Sequence, residues 1–139
     1  MNASIAMKQV KQSSFADLEW AGKKRVTRRE RFLSEMERVV PWGRLKALIE
    51  PKYPSAGRVG RQPVGLERML RLYFAQQWLG LSDEGLEDAV YDSAALRQFV
   101  GVDLQAVPDA TTLLKFRRLL EDNELTQANF AEVNAQLEQ

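Results

Sequence analysis

Thr111, Lys115 and Arg118 stand four and three residues apart, a spacing that puts three side chains on one stripe of an α-helix. They are side chains that read nucleic acid. A guanidinium or ammonium pairs with phosphate or with the guanine edge, and a hydroxyl serves either base or backbone. Arg117 stands at the flank of this stripe, and Leu113, Phe116, Leu119 and Leu120 return at helical period on the opposite side. Asp109 precedes them as an N-cap: its carboxylate accepts from free backbone N–H groups two or three residues on and sits at the positive end of the helix dipole. The stretch 108–120 is therefore predicted to be an amphipathic helix with a Thr/Lys/Arg outer face. That face is either a DNA-reading surface or the solvated side of an ordinary helix.

The charge distribution bears on that choice. The net charge is +1, but residues 1–75 carry 16 Lys/Arg against 7 Asp/Glu, a balance of +9, and residues 76–139 carry 4 against 12, a balance of −8. Three of the four cations in the acidic half are Lys115, Arg117 and Arg118. An acidic segment that confines its positive charge to one helix points to a nucleic-acid partner. A second cationic group lies at 22–31, where Lys23, Lys24, Arg25, Arg28, Arg29 and Arg31 accompany one acid, Glu30. It is either an arm that meets phosphates or a solubilising run.

Composition excludes several chemistries. Cysteine and histidine are both absent, which removes disulfides, thiolate zinc sites, and Ser-His or Cys-His nucleophile pairs. Asp83, Glu84, Glu87 and Asp88 have a spacing that could hold a divalent cation, but these four acids are expected to form a solvated face, and no cofactor is expected. No apolar run is long enough to span a bilayer, and no apolar stretch follows Lys8 and Lys11 as in a secretory signal, so a cytoplasmic protein with no membrane partner is expected.

The elements that must position these residues are all helical. Residues 1–21 are weakly patterned, and residues 1–26 are expected to form a flexible basic arm, with Phe15 and Trp20 free to dock. Thr27 and Glu30 have capping-box spacing, and Phe32, Leu33, Met36, Val39 and Val40 make the stripe of the helix they open. Pro41 ends that helix and starts another, with Trp42, Leu45, Leu48 and Ile49 facing inward. Pro51, Pro54, Gly57, Gly60 and Pro63 punctuate a loop that carries Lys52, Tyr53, Arg58 and Arg61; it is either a grip on a backbone or a plain surface connection.

Residues 65–79 are apolar on more than one side and form the central helix; Arg68 and Arg71 on it are further candidates for phosphate contact. Ser82 and Ser93 cap helices over 83–91 and 94–100. Gly80 and Gly101 close the helices before them, and Asn123 stops the 109–122 helix. Thr126 is expected to cap a last helix, 127–138, burying Phe130, Val133 and Leu137. The sum is an all-α fold, a compact bundle of about six or seven short helices over 27–139. Its 82–120 part is compatible with a helix-turn-helix variant, since the loop 101–108 exceeds the usual tight turn.

Several runs together resemble a known family. They are Thr27-Arg28-Arg29-Glu30 with Phe32-Leu33, Val39-Val40-Pro41-Trp42, Leu48-Ile49-Glu50-Pro51 with Tyr53-Pro54, Gly60-Arg61-Gln62-Pro63, Met69-Leu70-Arg71 to Gln77-Trp78, Gly80-Leu81-Ser82-Asp83, Tyr91-Asp92, and Pro108-Asp109 with Thr111-Thr112 and Phe116-Arg117. In this order, over roughly residues 8–138, the chain resembles the N-terminal part of bacterial insertion-sequence transposases of the insertion-sequence-five, InsH-like, type. The resemblance implies a helical region that recognises terminal inverted repeats and precedes an RNase H-like domain with a DDE carboxylate triad. No catalytic residue is carried over, because Asp83 and Asp109 do not stand at the triad positions; the chain is expected to lack the catalytic domain, and magnesium would serve only that domain.

The residues expected to meet DNA are Lys23, Lys24, Arg25, Arg28, Arg29, Arg58, Arg61, Thr111, Lys115, Arg117 and Arg118. The implied partner is double-stranded DNA at transposon ends, together with a homo-oligomer or full-length transposase. The alternative is a protein-interaction fragment that dimerises with the full-length enzyme and inhibits it, through the 65–79 or 127–138 helix.

Overall fold

The Thr27 hydroxyl accepts from the Glu30 N–H at 3.2 Å and the Glu30 carboxylate accepts from the Thr27 N–H at 3.3 Å, so the expected capping box forms. The computed structural model describes residues 18–19, 22–54 and 64–137, the side chains of 130, 136 and 137 excepted. Helix α1 spans Arg28–Val39 and ends where Val40 turns extended ahead of Pro41. Helix α2 follows at Trp42–Ile49 and runs into a 3₁₀ turn, Glu50–Lys52. Then come α3 (Leu66–Leu79), α4 (Asp83–Asp92), α5 (Ala94–Val100), α6 (Ala110–Asp122) and α7 (Leu125–Leu137). The fold is all-helical, with seven α-helices and no strand among the described residues.

Most boundaries follow from side-chain caps. Ser82 accepts from Gly85 N–H at 2.9 Å, Ser93 from Leu96 N–H at 3.1 Å, and Asp109 from Thr112 N–H at 2.8 Å. Gly80 and Gly101 end α3 and α5 with φ of +64° and +87°, where a Cβ would be strained. The start of α7 differs from expectation. Thr126 lies inside the helix, whose first residue is Leu125; Glu124 ahead of it takes φ +56°. Phe15, Trp20, Arg58 and Arg61 fall outside the described residues, as do the side chains of Phe130 and Leu137.

Helix α3 is the hub. It packs against α2, α4, α5 and α6, while α1 packs on α5, and α7 on α2 and α6. Eight consecutive residues of α3, Met69 to Gln76, are buried, as expected of a helix enclosed on more than one side. Its aromatic rings connect the layers, mostly edge to face. Phe32 of α1 meets Trp78 at 5.3 Å, Trp78 meets Phe99 of α5 at 6.1 Å, and Phe74 meets Trp42 of α2 at 6.0 Å. On the other side Tyr73 meets Phe116 of α6 at 6.3 Å.

Arg71, a candidate for phosphate contact, is instead buried and committed to partners within the protein. Its guanidinium lies 4.5 Å from the Trp42 ring centroid and 5.1 Å from that of Phe99. It donates twice to Glu37 of α1, to Glu67 at 3.3 Å, and to the Phe99 carbonyl at 2.9 Å. A buried charge is tolerated only when paired and hydrogen-bonded in this way. The Arg71 hydrogen bond holds the Glu37 carboxyl below the ordinary glutamate range, against the opposing effect of its partial burial.

Arg71→Ala removes one partner of this set and opens a void between two rings. Urea unfolding of that variant should show a loss of about 3 kcal/mol; a loss below about 1 kcal/mol would contradict the assignment. Because the folded Glu37 value is depressed, its contribution is present above the ordinary glutamate range and is lost as pH falls through the folded value. The acid-side decline of stability should therefore be shallower in Arg71→Ala than in the parent chain.

Candidate nucleic-acid interface

Helix α6 carries the Thr/Lys/Arg stripe, and its orientation is set from below. Leu113, Phe116 and Leu120 are buried and Leu119 is half-buried, so the apolar stripe expected from the sequence faces α3 and α4. Two carboxylates of α4 then fix the helix by polar contacts. Glu87 accepts from the Ala110 N–H at 2.8 Å, beside the cap that Asp109 provides. Asp83, four residues earlier on α4, accepts from Arg117 Nη2 at 2.7 Å through one oxygen and from Gln76 Nε2 at 2.8 Å through the other. Glu121 adds a looser ion pair to Arg117 at 3.7 Å.

Asp83 thus joins the buried Gln76 of α3 to Arg117 of α6. Partial burial pushes the Asp83 carboxyl up, but the hydrogen bonds from Arg117 and Gln76 and the guanidinium charge outweigh it and hold the group below the usual aspartate range. Reciprocally, the Asp83 hydrogen bond raises Arg117. Expected as part of a solvated acidic face, Asp83 and Glu87 instead work as a clamp on α6, while Glu84 and Asp88 remain exposed. Arg117 is engaged in that clamp, and its guanidinium is turned toward α4.

The outer stripe is free. Thr111, Lys115 and Arg118 are exposed, and neither Lys115 nor Arg118 has an ion-pair or hydrogen-bond partner among the described residues. Seven residues of helix place the three side chains along about 10 Å of axis. The next position on the same stripe is Asp122, an acid, so the cationic surface is confined to the first turns of α6. In helix-turn-helix folds the N-terminal residues of the recognition helix contact base edges.

The N-terminal cations lie on a different part of the molecule. Lys24, Arg25, Arg28, Arg29 and Arg31 are exposed. Lys23 is engaged, donating to Glu30 at 2.5 Å and to the Arg25 carbonyl at 2.8 Å. Helix α1, which carries Arg28, Arg29 and Arg31, packs on α5, whereas α6 packs on α3, α4 and α7. Arg58 and Arg61 lie outside the described residues, but both ends of their loop are placed. Tyr53 donates to the Val64 carbonyl and its ring sits 5.9 Å from that of Phe116. Burial pushes the Tyr53 phenol up to about 12; the ring is half-buried against Phe116 of α6 and is not displayed for stacking.

A cleft of about 570 Å³ between α1, α3 and α5 is lined by Glu30, Glu37, Glu67 and Arg71, with Ser34 and Gln98 at its edge. Its acidic rim has the wrong sign for a polyanion. Among the described residues no three carboxylates come together as a metal-holding set, and Asp83 and Glu87 are committed to α6, so they do not fit the magnesium site of a DDE triad. Among these residues no helix is long and apolar enough to cross a membrane.

Residues 21–119 match the family model described as Transposase domain (DUF772). The match takes in the capping box, the buried α3, the α4 clamp and nearly all of α6. No solved structure matches the chain.

A double-mutant cycle on Asp83→Ala and Arg117→Ala should return a coupling of about 1 kcal/mol at neutral pH, the magnitude of a partly screened pair with good geometry. Since the folded Asp83 value is depressed, the coupling should disappear as pH falls below the usual aspartate range. Additive effects at neutral pH would show that the pair does not hold α6.

Proposed function

The chain belongs to this transposase-domain family, and we propose that it is a DNA-binding domain that recognises the terminal inverted repeats of an insertion sequence during transposition. The observation that supports the reading is α6: fixed on its inner side by Asp83 and Glu87, it turns Thr111, Lys115 and Arg118 outward, with no partner of their own among the described residues. In this reading α4, α5 and α6 act as a helix-turn-helix variant, and the outer stripe of α6 enters the major groove. Arg118 and Lys115 contact base edges or phosphates there, and Thr111 contacts either. The insertion-sequence-five type of transposase is the sort of protein it would serve.

Lys24, Arg25, Arg28 and Arg29 supply affinity without sequence preference, because contacts to phosphate carry no base information. Arg58 and Arg61 are proposed for the same role, from a loop whose ends are anchored beside α6. Arg117 and Lys23 support the surface through Asp83 and Glu30 and are not assigned to DNA directly. The described carboxylates carry no chemical step in this reading; phosphodiester chemistry and its magnesium belong to a DDE catalytic domain outside these residues.

Fluorescence anisotropy with a duplex carrying the terminal repeat and a scrambled duplex, across several salt concentrations, tests the proposal. The repeat should bind more tightly, with a steep salt dependence. Arg118→Ala should reduce discrimination by about 1–3 kcal/mol if it reads a base. Arg25→Ala should weaken both duplexes alike and flatten the logarithmic salt slope by about one unit. Equal binding to both duplexes by the parent chain would remove the recognition role from α6.

A further inference from the structure

Helix α7 joins α6 through two residues, Asn123 and Glu124. Glu124 holds φ +56°, a left-handed conformation that is uncommon for a residue with a side chain, and it is the one positive-φ residue other than glycine among those described. The bend is stitched by short-range bonds only. Asn123 Nδ2 donates to the Leu119 carbonyl at 2.8 Å and the Glu124 N–H to the Glu121 carbonyl at 3.1 Å. A short connection under backbone strain between two packed helices is a place where chains exchange an element.

The seat of α7 also buries a polar side chain. Asn129 is fully buried where α7 packs on the body, and neither polar atom of its carboxamide has a hydrogen-bond partner among the described residues. Leaving the body returns that amide to water, so undocking costs less than it would for an apolar side chain. The apolar residues of α7 are not gathered on one stripe. Its charged contact to α2, between Arg44 and Glu132, is 4.0 Å long and solvent-exposed.

We propose that α7 is exchanged between two copies of this chain by opening of the Asn123–Glu124 bend. When those two residues become helical, α6 and α7 fuse into one helix from Ala110 to Leu137, about 42 Å long. The Glu124 strain is relieved, and each α7 lands on the α2 seat of the other copy. The seat is the same surface in both copies, so the exchange is reciprocal and closes as a two-fold dimer. This inference stands on the bend and the α7 seat and does not depend on the DNA-binding reading.

The test combines hinge variants with a cross-link that only an exchanged dimer can make. Glu124→Gly removes the strain of the closed form and should hold the chain monomeric in size exclusion with light scattering. Asn123→Ala with Glu124→Ala favours the fused helix and should raise the association constant about tenfold over the parent chain. The chain has no cysteine of its own, so R44C on one chain can be mixed with E132C on another, both in the Ala/Ala background, under mild oxidation. Exchange predicts a disulfide between chains. Dimers that form without that interchain disulfide, or an Ala/Ala chain that stays as monomeric as Glu124→Gly at high micromolar concentration, would overturn the proposal.

Discussion

A helix enclosed by four neighbours must find a partner inside the protein for every polar side chain it buries, because water is not there to supply one. Helix α3 obeys this at two positions, and the rest of the structure is arranged around them. Arg71 draws Glu37 of α1 and the Phe99 carbonyl of α5 onto one side of the helix. Gln76 draws Asp83 of α4 onto another. Asp83 then has a second oxygen to offer, and it binds Arg117 of α6. One requirement of burial thereby travels outward from the core and fixes the only helix of the acidic half that bears several cations.

The same chain of contacts resolves an electrostatic difficulty. A DNA surface in a segment with a balance of −8 would ordinarily be repelled from phosphate. Asp83 is neutralised by Arg117, and Glu87 accepts from the positive end of α6. The acids nearest the helix are thus turned into its supports. What faces outward from its first turns is Thr111, Lys115 and Arg118, with Asp122 marking the end of the usable surface.

Much of this was legible in the sequence because it is local. The Thr27–Glu30 box, the Ser82, Ser93 and Asp109 caps, and the Gly80 and Gly101 stops depend on residues within one turn of each other, and the periods of the apolar residues gave the buried faces. Long-range pairings were not legible. Arg117 and Asp83 are 34 residues apart, as are Arg71 and Glu37, and an arginine at helical spacing looks the same whether it reaches for phosphate or for a carboxylate on another helix. Arg71 lies in the middle of an apolar run, which was the available sign that its charge would be buried. Glu124 carried no sign at all, since a left-handed turn is announced by glycine or asparagine and seldom by glutamate.

The central claim is that the α3–α4 relay presents the outer stripe of α6 to DNA. Amide chemical-shift mapping during titration with a duplex carrying the terminal repeat measures it most directly, because it reports every helix at once. The account predicts the largest shifts along the first turns of α6, at Thr111, Lys115 and Arg118, with smaller salt-sensitive shifts over 24–31. Shifts confined to the N-terminal cations, with α6 silent at saturation, would contradict it and leave the helix as an ordinary solvated surface.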